Sequence, residues 1–324
     1  MSSSSIPESA KLIAYALAVS LGHLFKLLVL DSLALLKQCT SGQSTAQTLT
    51  EFYSGKVVIV TGASSGIGAS LVQILASIPG TILVISSRTV EKLEEVASMC
   101  RLEHPTARIF AVPLDLENFE GVDAYTDKVM ETLRRNGLPQ QIDVLINNAG
   151  VSSRGAAMET SMATVQKIMR VNFYGPVALS QSVAAHMVAN GGGAIGVVSS
   201  VQGKLGIPWR TSYAASKHAL QGYFDGFRAE LAGKGVFVTI VSPGYVRTSL
   251  SLNALNADGS LYNKMDETTA GGMEPLAVAE NILVSIARKE TDVVLADAKT
   301  TAAVQLKAML PDVIAWVMVK RART

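Results

Sequence analysis

Seven short apolar runs, rich in β-branched residues, punctuate the chain, and their lack of alternation constrains the fold more than any other feature. They are Val57–Val60, Thr81–Ser86, Arg108–Val112, Asp143–Ile146, Ala194–Ser199, Val236–Val241 and Asp292–Ala296. A strand with one wet face alternates polar and apolar residues, whereas a continuous apolar run reads as a strand covered on both faces. The stretches between the runs are amphipathic and about twenty residues or longer, enough for the helical crossovers that parallel strands require. The pattern predicts an α/β, doubly wound parallel sheet in a single catalytic domain over residues 51–298. Residues 1–50 read as an apolar helix followed by a linker of Ser, Thr, Gln and Gly, and residues 299–324 as an apolar and basic tail.

Directly after the first run stands Thr61-Gly62-Ala63-Ser64-Ser65-Gly66-Ile67-Gly68, and a helical pattern follows from Ile67. In such a strand-to-helix turn Gly62 turns the chain, Gly66 lets backbone approach a pyrophosphate without a Cβ in the way, and Gly68 packs helix against strand. The helix N-terminus then offers its unpaired N–H groups to phosphate oxygens. Ser64, Ser65 and Ile67 complete the expected cradle, which predicts a bound dinucleotide. The second run ends Ser86-Ser87-Arg88-Thr89, with no carboxylate where one would bind a ribose 2′-hydroxyl. A guanidinium at Arg88 suits a 2′-phosphate, so the expected cofactor is NADP(H); the bland alternative is a solvated loop arginine with no second basic residue beside it.

Ser200 follows the fifth run, and Tyr213 and Lys217 open a helix within Tyr-Ala-Ala-Ser-Lys. A separation of four residues puts the phenol and the ammonium on one helical face. Hydride transfer at a carbon needs a proton moved on the attached oxygen, and a phenol with a reference pKa near 10 needs a neighbouring cation to do this near neutrality. Lys217 is expected to supply that charge, and Ser200 to hold the substrate oxygen. Either feature alone is commonplace; their joint occurrence points to chemistry.

These motifs together, TGASSGIG, Asn147-Asn148-Ala149-Gly150, a serine thirteen positions before the tyrosine, and YAASK, resemble the short-chain dehydrogenase/reductase family over about residues 54–296. The resemblance implies a single Rossmann domain with strand order 3-2-1-4-5-6-7 and a cleft shared by cofactor and substrate. It implies that Tyr213 is the general acid or base, that Lys217 also bonds the nicotinamide ribose, and that Ser200 orients the carbonyl. By the same resemblance Asn172 anchors a proton-relay water, Asp115 with Leu116 borders the adenine, and Asn148 supports the central strand beside the cofactor. Pro243, Val246 and Thr248 match the segment that clamps the nicotinamide. Two further stretches, one running from Ser199 through the YAASK helix and one from Asp292 to the tail, resemble a membrane-attached reductase of this family. That likeness implies reduction of acyl- or alkyl-dihydroxyacetone phosphate, at the endoplasmic reticulum or the peroxisome. Relatives that oxidise or reduce steroids and retinoids leave that substrate open, and the segment about residues 250–272 that would choose among them has no legible pattern. From another class, a non-catalytic NADP-binding membrane scaffold is the rival.

Residues 12–30 contain only Ser20, Gly22, His23 and Lys26 outside the apolar and tyrosine set. Such a helix would span about 28 Å at roughly 1.5 Å per residue, just enough for a bilayer core. Ser20, His23, Lys26 and Asp31 fall on one side of it, so a helix lying in the membrane surface competes, as does one packed on a partner subunit. Membrane attachment through residues 12–36 is therefore expected. The tail at residues 302–319 is broken by Lys307, Pro311 and Asp312; it could lie on an anionic membrane, cover the substrate mouth or pack within the enzyme.

Twenty-eight Lys and Arg against 26 Asp and Glu give a formal charge of +2, which supplies no field for nucleic acid. Two cysteines, Cys39 and Cys100, make no disulfide framework. No histidine spacing suggests a metal ligand set, and His218, next to Lys217, points off the shared face. Trp209 and Tyr245 either line the cleft or belong to the core. No sequence feature decides between a monomer and a homodimer.

Overall fold

The computed structural model describes residues 44–323. The chain separates into two units, residues 1–47 and 48–324. Only residues 44–47 of the first are described, so the expected helix at residues 12–36, its linker and Cys39 lie outside the described residues.

Among the described residues seven strands form one sheet: β1 Val57–Thr61, β2 Ile82–Ser86, β3 Arg108–Ala111, β4 Val144–Asn147, β5 Gly193–Val198, β6 Val236–Pro243 and β7 Asp292–Leu295. Every pairing is parallel, and the order is β3-β2-β1-β4-β5-β6-β7. Each strand falls within two residues of its apolar run. The register is continuous, with Val57 opposite Ile82 in β2 and Val58 opposite Val144 in β4. The Asp143 carboxylate accepts the Val57 amide at 2.8 Å and so fixes where β1 and β4 begin.

Helices α1 Thr45–Tyr53, α2 Gly66–Ala76, α3 Val90–Glu103, α4 Val122–Arg135, α5 Met162–Met169, α6 Gly175–Ala189, α7 Thr211–Leu231, α8 Glu267–Ala270, α9 Pro275–Ala287, α10 Ala298–Met309 and α11 Pro311–Arg323 make the crossovers and the flanks. Successive residues of a strand point to opposite faces, and because helices cover both faces the runs do not alternate. Val58 and Val60 of β1 pack with Leu71 and Leu75 of α2, Leu93 of α3 and Ile282 and Leu283 of α9. Val57 and Ile59 pack on the other face with Val129 and Leu133 of α4, Leu179 and Val183 of α6 and Phe224 of α7. Each such aliphatic side chain contributes about 1.5–3 kcal/mol when fully buried. Tyr53 closes the first layer from α1, and its buried hydroxyl donates to the Leu283 carbonyl at 2.9 Å.

Strand order reverses between β1 and β4, and a crevice opens there beyond the strands' carboxyl ends. All the motif residues sit at those ends. The tail forms two helices because Pro311, which donates no backbone hydrogen bond, starts a new one. Lys307 ties α10 to the body by donating to the Lys204 carbonyl at 2.7 Å. No helix among the described residues is long and apolar enough to cross a membrane.

Candidate active site

A cleft of about 510 Å³ runs along the carboxyl ends of the strands. Its cofactor half is built on the turn between β1 and α2. Gly62 and Gly66 have φ of +65° and +53°, a region L side chains rarely enter. A Cβ on Gly62 would lie 2.7 Å from the Ala149 Cα, and one on Gly66 would lie 2.9 Å from the Thr248 Cγ2. Ser65, the residue before α2, makes no side-chain cap, so the helix's first N–H groups and that hydroxyl remain available to an anion. This is a cradle shaped for a pyrophosphate. Gly68 does not line it; a Cβ there would stand 2.1 Å from the Gly62 carbonyl oxygen, so this glycine lets the helix seat beneath the turn.

Asn148, at the end of β4, holds the turn from the other side. Its side-chain amide donates to the carbonyls of Thr61 and Gly62 at 3.0 and 3.3 Å, and the Thr61 hydroxyl accepts the Asn148 and Ala149 amides at 3.0 and 3.2 Å. Ser64, Ile67, Arg88, Asp115, Leu116, Pro243, Val246 and Thr248 line the same cleft. Arg88 is not alone, against the expectation: Lys92, at the start of α3, reaches the cleft as well. The helix that begins at Val90 brings this second cation to the arginine's edge of the cleft.

The catalytic half centres on α7. Ser200 and Tyr213 are each 6% exposed and Lys217 3%, and all three line the cleft. The Ser200 hydroxyl accepts the Gln202 amide at 3.1 Å, capping the short turn that follows β5. Lys217 donates to the Val198 carbonyl at 2.9 Å, and its ammonium lies 5.8 Å from the centre of the Tyr213 ring. Burial pulls Lys217 down to about 8, as expected for a cation taken out of water. Burial pushes the Tyr213 phenol above its ordinary value; a hydrogen bond with Ser200 and the positive charges of Arg210 and Arg154 offset part of this. The charge expected from Lys217 thus comes instead from two arginines, and Lys217 is not among the groups that shift the phenol.

Asn172 stands behind the cleft wall and does not line it. It sits in a wide π-helical turn, Arg170–Tyr174, between α5 and α6. Its side chain accepts the Val151 amide at 2.8 Å and donates to the Val151 carbonyl at 2.8 Å and to the Ser216 hydroxyl at 2.9 Å. A Cβ on Gly150 would come within 3.3 Å of the Asn172 Oδ1 and 3.6 Å of the Lys217 Nζ, which places the two side chains under one glycine.

Several further residues enter the cleft without a sequence signal. Arg154 and Arg210 both line it and both reach Asp266: Arg154 through Nε at 3.0 Å and through Nη2, Arg210 through Nη2 at 3.0 Å. Burial alone would raise the Asp266 carboxyl, but its hydrogen bond to Arg154 and the charges of both arginines hold it below the ordinary value. Gln202 is buried on the cleft wall, and its Oε1 accepts no hydrogen bond from the described residues. Tyr245 lines the cleft, and its hydroxyl accepts from Arg321 of α11 at 2.8 Å. The tail therefore reaches the substrate side of the cleft while packing on the body. Trp209 does neither of the things expected of it: it is 52% exposed, has φ of +64° and lies off the cleft. His218 also stays off the cleft and bonds the Ala214 carbonyl through Nδ1. No cluster of potential metal ligands occurs among the described residues.

Residues 56–258 match the family model described as short chain dehydrogenase. The dehydrogenase/reductase SDR family protein 7-like of Drosophila melanogaster is 42% identical over 279 residues, covering 86% of this chain and 83% of that protein. The dehydrogenase/reductase SDR family member 7B of Danio rerio is 42% identical over 272 residues, covering 83% and 86%. Among solved structures, a short-chain dehydrogenase/reductase from Burkholderia phymatum in complex with NAD shares the fold at a TM-score of 0.70 and 23% identity, over 81% of this chain and 96% of that one. A metagenomic short-chain oxidoreductase in complex with NADP superposes at 0.61 with 27% identity, over 76% and 98%.

Proposed function

This chain belongs to the short-chain dehydrogenase family, an oxidoreductase acting on CH–OH or C=O groups with a nicotinamide cofactor, and from that premise we propose that it reduces a lipid-like ketone with NADPH. The observation that carries the reading is the convergence of buried Ser200, Tyr213 and Lys217 on the cleft that the glycine turn opens.

The turn at Gly62–Gly66 and the start of α2 would hold the pyrophosphate, Asp115 and Leu116 the adenosine end, and Pro243, Val246 and Thr248 the nicotinamide end. Arg88 and Lys92 are two cations at the edge where a 2′-phosphate would lie, and no acidic side chain takes the place of a 2′-hydroxyl partner on β2. When bound, the reduced nicotinamide supplies the hydride. Ser200 donates to the substrate carbonyl oxygen and holds it against the phenol. Tyr213 passes its proton to that oxygen as negative charge develops there. A phenol held above its ordinary value stays protonated near neutrality, so it meets the substrate oxygen as a proton donor. Arg210 and Arg154 stabilise the phenolate left behind, Lys217 stands 5.8 Å from the ring centre to hold the cofactor beside it, and Asn172 fixes the Val151 backbone and Ser216 around them.

The likeness of two stretches to a membrane-attached reductase, the apolar stretch at residues 12–36 and the exposed Leu310, Val313 and Trp316 of the tail support a lipid-like substrate met at a membrane, with acyl- or alkyl-dihydroxyacetone phosphate as the leading candidate. Residence at the endoplasmic reticulum or the peroxisome belongs to the same proposal, and fractionation of the full chain against marker proteins checks it. Purified full-length enzyme supplied with NADPH and a panel of dihydroxyacetone-phosphate lipids, steroids and retinoids tests the chemistry. Tyr213→Phe keeps the ring and removes the proton, and should lower turnover by roughly 10²–10⁴-fold. Activity retained in that variant, or NADPH consumed with none of the panel, would refute the proposal.

A further inference from the structure

Arg154 and Arg210 are part-buried, their side chains 11% and 13% exposed, and they share one carboxylate. They come from opposite sides of the substrate half, Arg154 from the loop after β4 and Arg210 from the residue that caps α7. All three of their bonds to Asp266 fall on a single oxygen, Oδ2. Arg154 spends its remaining nitrogen on the Ser152 hydroxyl and the Ser153 carbonyl, each at 2.7 Å. The other arm of Arg210 reaches the Tyr245 hydroxyl at 3.5 Å, and its guanidinium lies over that ring, 5.4 Å from the centroid.

The charges do not balance. Two guanidiniums and one carboxylate leave one positive charge in a partly desolvated wall. A charge drawn partly out of water without a counter-ion is costly. If Asp266 served only to clip its loop to the body, a single arginine would do, and Arg210 could have been neutral. The surplus cation also sits at the reacting end. Arg210 precedes Tyr213 by three residues, and its carbonyl accepts the Ala214 amide at 2.9 Å. Ser153, whose carbonyl takes a bond from Arg154, accepts the Tyr213 amide on its hydroxyl at 3.3 Å. Both arginines act as positive charges on the phenol itself.

Resting on the ketone-reductase reading above, we propose that Arg154 and Arg210 form an anion subsite that selects ketones carrying a phosphate monoester or a carboxylate close to the carbonyl. Asp266 positions the two arginines and sets their net charge at one. The anionic substituent displaces nothing covalent; it completes the neutralisation of the cluster and thereby fixes the carbonyl beside Ser200 and Tyr213. A planar fork on each arginine suits either oxyanion, and the phosphate, with three oxygens, can engage both forks at once.

The test uses three ketones of equal chain length with NADPH: 1-hydroxydodecan-2-one, its phosphate monoester and 4-oxododecanoate. Wild type should favour an anionic ketone over the neutral one by tenfold or more in kcat/KM, and the better of the two names the source. In Arg210→Gln and in Arg154→Gln that ratio should fall at least tenfold through the KM of the anionic ketones, over and above a loss of kcat common to all three ketones from the charge removed beside the phenol. Asp266→Asn removes the competing carboxylate and should raise the ratio; a purely structural clip would lower it or slow all three ketones alike. A wild-type ratio near one, equal losses on neutral and anionic ketones, or a lower ratio in Asp266→Asn overturns the subsite. If wild type reduces none of the three, the reductase reading fails first, and the subsite is read without turnover. With NADP+ saturating, inorganic phosphate at millimolar concentration should raise the Tm of wild type relative to chloride of equal ionic strength, and should not do so in Arg210→Gln. No phosphate effect in wild type overturns the subsite on its own.

Discussion

Replacing Lys217 by methionine should change stability in a way that reverses with pH, because the structure keeps this ammonium buried with one protein hydrogen bond. Burial lowers its pKa from 10.5 to about 8. At 1.36 kcal/mol per unit, a shift of this size corresponds to a folding penalty of about 3 kcal/mol carried by the charged form. The sign follows from proton counting. Between pH 8 and 10.5 the unfolded chain holds the lysine proton and the folded chain has lost it, so stability rises with pH over that window. Below pH 8 both states are charged and the penalty is complete. The Lys217→Met substitution removes the penalty and leaves the Val198 carbonyl without its donor, a loss of about 1–3 kcal/mol. Cofactor-free Lys217→Met should therefore be roughly as stable as wild type, or up to about 2 kcal/mol more stable, at about pH 7. By pH 10.5 it should be the less stable of the two. Urea denaturation of both proteins across this range, analysed as the difference between them, cancels the tyrosines and Cys100, whose burial shifts them upward. A difference that stays constant with pH would refute the reasoning. So would a variant that is several kcal/mol less stable near neutrality.

Two other perturbations address the cofactor half. Gly68→Ala drives a methyl into the Gly62 carbonyl, which lies in rigid backbone; it should cost about 1–3 kcal/mol of stability by urea titration and weaken dinucleotide binding at least tenfold by calorimetry. Wild type should turn over faster with NADPH than with NADH, and Arg88→Asp combined with Lys92→Glu should invert that preference; an unchanged ratio of kcat/KM would remove both residues from the 2′-phosphate site.

The framework was legible because its signals are local or periodic. A strand buried on both faces writes itself as an unbroken apolar run, and all seven runs landed on strands, including edge strand β7, whose residues are only partly covered. Gly62, Gly66 and Gly68 are adjacent in sequence, so their turn could be read directly, although Gly68 acts by packing and not from the cleft wall. Tyr213 and Lys217 share one helix turn. The arginine cluster was not legible, because Asp266 lies 112 residues from Arg154 and 56 from Arg210 and its segment has no periodicity. Burial could have suggested none of the three in advance, since such residues are mostly exposed. Trp209 misled for the opposite reason: an aromatic beside a catalytic segment suggests a wall, but its left-handed backbone turns it outward. Lys92 pairs with Arg88 only through the helix that begins two residues after the arginine, so the arginine's loop by itself gives no sign of it.

The broad turn at Arg170–Tyr174 has a structural consequence of its own. Helical backbone runs without a break from Met162 to Ala189, yet one stretch of it carries a surplus residue relative to an ordinary α-turn. That surplus works as a phase shifter, offsetting by roughly 100° the bearing of everything upstream against everything downstream. Excising a single residue there would leave a smoother rod whose two ends could no longer both face their neighbours. Asn172 would swing out from under Gly150, and the pocket's floor would lose its bracket without any cleft-lining group having been touched.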